Sequence, residues 1–118
     1  KIITQGLIDI GILGGTVDDQ MEQSGYQQFF MHRTGHWLGM DVHDVGDYKV
    51  NGEWRMLEKG MALTIEPGIY ISPSKTVDEK WWNIGVRIED DVVITSKGNE
   101  VITKDAPKAV SDIETLMS

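Results

Sequence analysis

The chain contains no cysteine, which excludes disulfides and thiolate metal sites together and fits a cytoplasmic setting better than a secreted one. It also lacks any apolar run near the roughly 20 residues that a membrane-spanning helix needs. Its opening KIITQGLIDIGIL is interrupted by Gln5 and Asp9, unlike a signal peptide. Basic residues are few: 11 Lys and Arg stand against 19 Asp and Glu, for a formal charge of -8. Like charges repel at encounter, so neither nucleic acid nor an anionic membrane is an expected partner, whereas cations and small polar ligands are. Histidine is scarcer still, and all three, His32, His36 and His43, fall in one short run, HRTGHWLGMDVHD.

The sequence has 118 residues, 40% of them apolar, enough for one domain with a hydrophobic core. It shows no internal repeat and no low-complexity tract. An amphipathic segment that begins at Lys1 without an initiator methionine is expected to belong to a longer chain.

Ile3, Leu7 and Ile10 recur at helical spacing and Gly14-Gly15 follows as a stop, which predicts a first helix. Thr16 caps a predicted second helix through about Gln28, with Asp18 and Asp19 in its first turn where the helix dipole favours negative charge. From Phe29 onward glycines, aromatics and β-branched residues predict short strands and turns. EWRMLEKG reads as a connection, MALTIEPGIYI as a strand interrupted at Pro67-Gly68, and SPSKTVDEKWW as a polar loop. GVRIEDDVVIT reads as one strand, SKGNE as a turn, and APKAVSDIETLM as a closing helix with Pro107 in its first turn. Two helices, a strand-rich block and a terminal helix give an α+β class. Trp54, Trp81 and Trp82 fall in predicted loops, with ordinary packing as their expected role.

Alternation along MALTIEPG puts Ala62, Thr64 and Glu66 on the face opposite Met61, Leu63 and Ile65. Pro67 restricts Glu66 to an extended conformation and so fixes the direction of its carboxylate. A carboxylate ending an apolar strand has to be hydrogen-bonded, ion-paired or bound to metal, because a lone buried charge costs several kcal/mol or more. In GVRIEDDVVIT the same alternation groups Arg87, Glu89 and Asp91, either as a surface face with cross-strand ion pairs or as a carboxylate ligand beside an orienting arginine. His32 and His36 are four apart, the spacing of a helical zinc-protease pair. That motif needs glutamate after the first histidine, where Arg33 stands, and Gly35 and Gly39 disfavour a helix. One imidazole with two carboxylates suits a divalent metal of intermediate hardness such as manganese, with cobalt, iron and zinc as alternatives by affinity. Three ligands are too few for two ions.

FFMHRTGHWLGMDVHDVGDY, LTIEPGIYI and GVRIEDDVVIT together closely resemble the C-terminal part of the Xaa-Pro aminopeptidases, the aminopeptidase P family. The resemblance extends over nearly the whole chain and implies that residues 1–118 form the C-terminal portion of a pita-bread catalytic domain, a fold also found in prolidase, methionine aminopeptidase and creatinase. It implies two divalent metal ions, most commonly Mn2+, bridged by water or hydroxide. On this pattern His36 ligates one ion, Glu66 is a terminal carboxylate ligand and proton shuttle, and Glu89 bridges both. His32 and His43 match the family's histidines that contact substrate and stabilise the tetrahedral intermediate, and Arg87 matches the arginine that orients the metal-bound carboxylates.

The implied substrates are peptides with proline at the second position, and the implied full-length assembly is a homo-oligomer. The family also uses two aspartates upstream. Here Asp9, Asp18 and Asp19 alone precede His32, at the wrong spacing, so those ligands are expected outside this chain and the isolated chain is expected to be inactive. Two other readings are a prolidase-type dipeptidase and a non-catalytic module of the same fold.

Overall fold

The computed structural model describes residues 1–118. Helices and short antiparallel strands are both present, as the α+β reading expects. The chain divides into two compact units, one of residues 1–32 and 67–87, the other of residues 33–66 and 88–118.

In the first unit α1 spans Ile2–Asp9 and buries Thr4 and Leu7. It ends before the predicted Gly14-Gly15 stop, because the chain turns at Gly11 with φ +75 and leaves Ile10 exposed. The Ile12 and Leu13 amides both return to the Leu7 carbonyl, at 2.9 and 3.0 Å. α2 covers Val17–Glu22 and starts in a reciprocal capping box between Thr16 and Asp19. The Thr16 hydroxyl, and then its backbone N–H, hold the Asp19 carboxyl below its ordinary range. This helix stops six residues short of Gln28: Ser24 adopts φ 56, and Gly25–Gln28 form a separate 3-10 turn.

Strands β4 (Gly68–Ile71) and β5 (Ile84–Arg87) pair antiparallel. Leu7, Ile12, Phe29, Ile71 and Val77 form the core of this unit, with Trp81 and Trp82 packed against it. The predicted polar loop therefore contributes a buried valine and two packed tryptophans, and includes a 3-10 turn at Glu79–Trp81.

The second unit carries two sheets. β1 (Lys49–Val50) and β2 (Glu53–Trp54) make a hairpin whose Asn51-Gly52 turn has φ 52 and 85, the left-handed pair that an Asn-Gly turn favours. Glu53 and Trp54 are thus strand rather than connection, and Trp54 lies exposed with Lys49 Nζ 4.8 Å from its ring. β3 (Ala62–Ile65), β6 (Asp90–Thr95) and β7 (Gly98–Val101) form an antiparallel sheet in the order β3-β6-β7.

GVRIEDDVVIT is accordingly two strands, β5 and β6, interrupted at Ile88-Glu89, because β5 is committed to β4 and β6 to β3. Arg87, Glu89 and Asp91 therefore do not share one strand face. α3 is Val110–Met117, with Ala109 as its N-cap, so Pro107 precedes the helix and is not in its first turn. No helix is long and apolar enough to cross a membrane.

Candidate metal centre

Ala62, Thr64 and Glu66 share the face of β3 that is buried: Thr64 is 1% and Glu66 8% exposed, whereas Ile65 on the other face is 41% exposed. Residues 34–38 run antiparallel to one edge of β3. Leu38 N–H donates to the Ala62 carbonyl (3.1 Å), Thr64 N–H to that of His36 (2.9 Å) and Glu66 N–H to that of Thr34 (2.6 Å). The Trp37–Leu63 bridge fixes the same register, which places His36 opposite Thr64.

On the other edge β6 pairs Thr64 with Asp91 and Ile65 with Asp90. One step beyond stand Glu66 and Glu89. Both neighbours of β3 thus bring a candidate ligand to its polar face, and the potential ligand atoms of His36, Glu66 and Glu89 all lie within 4.8 Å of one another.

The His36 ring is oriented by Nδ1, 2.9 Å from the Trp37 carbonyl oxygen. A carbonyl can only accept, so Nδ1 carries a proton and Nε2 is the atom left to face the Glu66 carboxylate, 3.1 Å away. A bare lone pair against a carboxylate is repulsive. A proton shared between the two, or a cation, relieves that contact, and with Glu89 as a second carboxylate donor the set fits a divalent metal held by nitrogen and oxygen. A backbone carbonyl fixing the tautomer of a ligating imidazole is the usual arrangement in metal sites.

The remaining predicted residues fall as follows. The His43 ring stands edge-on to that of His36, with centroids 4.4 Å apart. His32 and Arg87 belong to the first unit, where both meet Tyr70: the His32 ring is edge-on at 5.4 Å, and Arg87 Nε donates to the tyrosine hydroxyl at 3.1 Å. Sequence reasoning passed over Tyr70. Its cross-strand partner is Gly85, and a Cβ on Gly68 would approach both its hydroxyl and Arg87 Nε, so the glycines flanking this strand pair were the available signal.

Glu89 is anchored through its neighbour. Asp90 Oδ1 accepts from Lys108 Nζ at 2.7 Å and from the Thr103 hydroxyl at 2.7 Å, and the same hydroxyl accepts from Asp91 N–H at 3.0 Å. Lys108, and then Thr103, hold the Asp90 carboxyl below its ordinary range. A carboxyl depressed in the folded state stabilises the fold above its unfolded pKa of about 3.9, and that contribution is lost as pH falls through the folded value. Lys108→Met is therefore expected to cost stability at about pH 7 and progressively less below about pH 4. Urea denaturation of both proteins at the two pH values measures the difference, and an equal cost at both would count against the ion pair.

Comparison with known proteins identifies the family. The profile of metallopeptidase family M24 matches residues 5–96. A Xaa-Pro aminopeptidase of Haemophilus influenzae is 54% identical over 118 residues, which is 100% of this chain and 27% of that protein. The solved structure of Pseudomonas aeruginosa aminopeptidase PepP superposes with a TM-score of 0.93 at 61% identity, covering 98% of this chain and 26% of the other. Escherichia coli aminopeptidase P with the inhibitor Pro-Leu gives 0.89 at 51% identity, with coverages of 98% and 26%. The chain spans about a quarter of the length of the curated relatives it matches.

Proposed function

Because the chain belongs to metallopeptidase family M24, we propose that it is the C-terminal part of the pita-bread domain of an Xaa-Pro aminopeptidase and that His36, Glu66 and Glu89 are its metal ligands. The observation that carries this reading is the convergence of one imidazole nitrogen and two carboxylates within 4.8 Å. Manganese is the metal we favour, since mixed nitrogen and oxygen donors of intermediate hardness suit it. Two ions are implied by the resemblance; these three side chains suffice for one, so the donors completing the second lie outside residues 1–118.

Divalent cations bound there supply the acidified water and the polarised carbonyl that hydrolysis of the bond before proline needs. The residues of this chain do the rest. His36 is held in one tautomer by the Trp37 carbonyl, and Glu66, buried beside it, takes the proton released by the attacking water and passes it to the prolyl nitrogen. The resemblance supports substrate contact by His43, which stands against the His36 ring, and by His32, and a carboxylate-orienting role for Arg87. Proline lacks a backbone N–H, so the bond before it escapes proteases that grip that donor and calls for a dedicated site. The Pro-Leu bound to the E. coli relative supports a leaving fragment that begins with proline. The cysteine-free composition supports a cytoplasmic setting, and the resemblance supports a homo-oligomer.

The test is release of the N-terminal residue from an Xaa-Pro-Yaa tripeptide by the whole protein with Mn2+, run beside the Xaa-Pro dipeptide. Turnover of the tripeptide alone is expected. Turnover of the dipeptide alone would assign a prolidase-type dipeptidase, and turnover of neither a non-catalytic module.

A further inference from the structure

We propose that the Thr64 hydroxyl is a positioning group that locks Glu66 to His36. The proposal rests on the reading of those two residues as metal ligands. Thr64 is among the most buried residues in the chain, at 1% exposure, yet it is polar and lies on the ligand-bearing face of β3. Its Oγ1 accepts from the His36 backbone N–H at 3.0 Å and lies 3.1 Å from Glu66 Oε1.

The direction of both bonds is forced. A hydroxyl has one proton and two lone pairs. The amide can only donate, so it takes a lone pair, and the carboxylate can only accept, so the hydroxyl proton goes to Glu66. One atom therefore ties the main chain of one ligand to the side chain of the other.

Glu66 Oε1 is also the oxygen that faces His36 Nε2 at 3.1 Å. The terminal carboxylate torsion of a glutamate is broad, and the Thr64 bond removes that freedom at the oxygen nearest the imidazole. Thr64 is itself held by its N–H bond to the His36 carbonyl, 2.9 Å, and β-branching stiffens its χ1. The approach of residues 34–38 that makes the amide contact depends on Gly35, where a Cβ would collide with the Thr64 carbonyl oxygen.

Thr64→Val keeps the shape of the side chain and removes the bridge, whereas Thr64→Ser keeps the bridge. Mn2+ affinity of the whole protein, measured by titration calorimetry, is expected to fall about 10- to 100-fold in Thr64→Val, the range seen when a group supporting a metal ligand is lost, and to stay within about threefold in Thr64→Ser. Thr64→Ala, the second hydroxyl-free variant, is expected to match Val. Hydrogen exchange separates this role from general loosening: the His36 amide loses protection in Val and keeps it in Ser, while the Leu38 and Glu66 amides, bonded to Ala62 and Thr34, stay protected in both. Wild-type affinity in Thr64→Val, or equal losses in Val and Ser, would overturn the role of the hydroxyl alone. An unsubstituted whole protein that binds no Mn2+ would overturn the metal reading and this proposal with it.

Discussion

Glu89→Ala is expected to lower Mn2+ affinity by at least about 100-fold while leaving the metal-free fold intact or slightly more stable. The two effects have opposite signs for one reason. Glu89 is exposed at the break between β5 and β6, so truncation opens no cavity, and exposed substitutions of this kind usually change stability by no more than about 0.5 kcal/mol. Without a cation, Glu89 and Glu66 are like charges whose ligand oxygens lie within the 4.8 Å cluster, so removing one relieves repulsion. With a cation the same carboxylate is a third of the donor set, and losing a ligand costs at least as much as losing a group that merely supports one. Titration calorimetry with Mn2+ gives the affinity, and thermal denaturation with and without metal gives the sign change. A metal-dependent rise in melting temperature that survives in Glu89→Ala would contradict the assignment.

Gly35→Ala is expected to destabilise the chain by about 3 kcal/mol and to abolish metal binding, although residue 35 ligates nothing. An added methyl would overlap the Thr64 backbone carbonyl. A backbone atom on a paired strand cannot swing aside as a flexible side chain would, and overpacking costs roughly 1–3 kcal/mol even where rotamers can adjust. Relief requires residues 34–38 to lift away from β3, breaking the ladder that carries His36 to its place. Gly6 in α1 is the control: nothing lies within 4 Å of the point where a Cβ would stand, so Gly6→Ala is expected to stabilise by about 0.5–1 kcal/mol through helix propensity. Denaturant unfolding of the two variants checks both signs, and a Gly35→Ala protein as stable as wild type would refute the close-approach argument.

The parts of the site that follow from local rules were legible in the sequence. Alternation along β3 places Thr64 and Glu66 on one face, and Pro67 marks where that strand must end. The crowding of His32, His36 and His43 among glycines points to the right segment. What depends on pairing was not legible. GVRIEDDVVIT has the composition of one continuous strand, and only the partners of β5 and β6, in two different sheets, show that it breaks at Ile88-Glu89 and that Arg87 leaves the face of Glu89. Residues 34–38 carry no strand signature, since their ladder with β3 is made by a loop that glycine lets approach. Thr64 reads as an ordinary strand residue until the His36 amide is found 28 positions away in sequence and on its hydroxyl. The helices were overextended for a similar reason: nothing in the periodicity shows that the backbone turns left-handed at Gly11 and Ser24.

The most direct test of the metal assignment is anomalous diffraction at the manganese edge from crystals of this protein grown with Mn2+. The account predicts a peak in contact with His36 Nε2 and carboxylate oxygens of Glu66 and Glu89. A peak coordinated elsewhere, or none among these three side chains with manganese in excess, would contradict it.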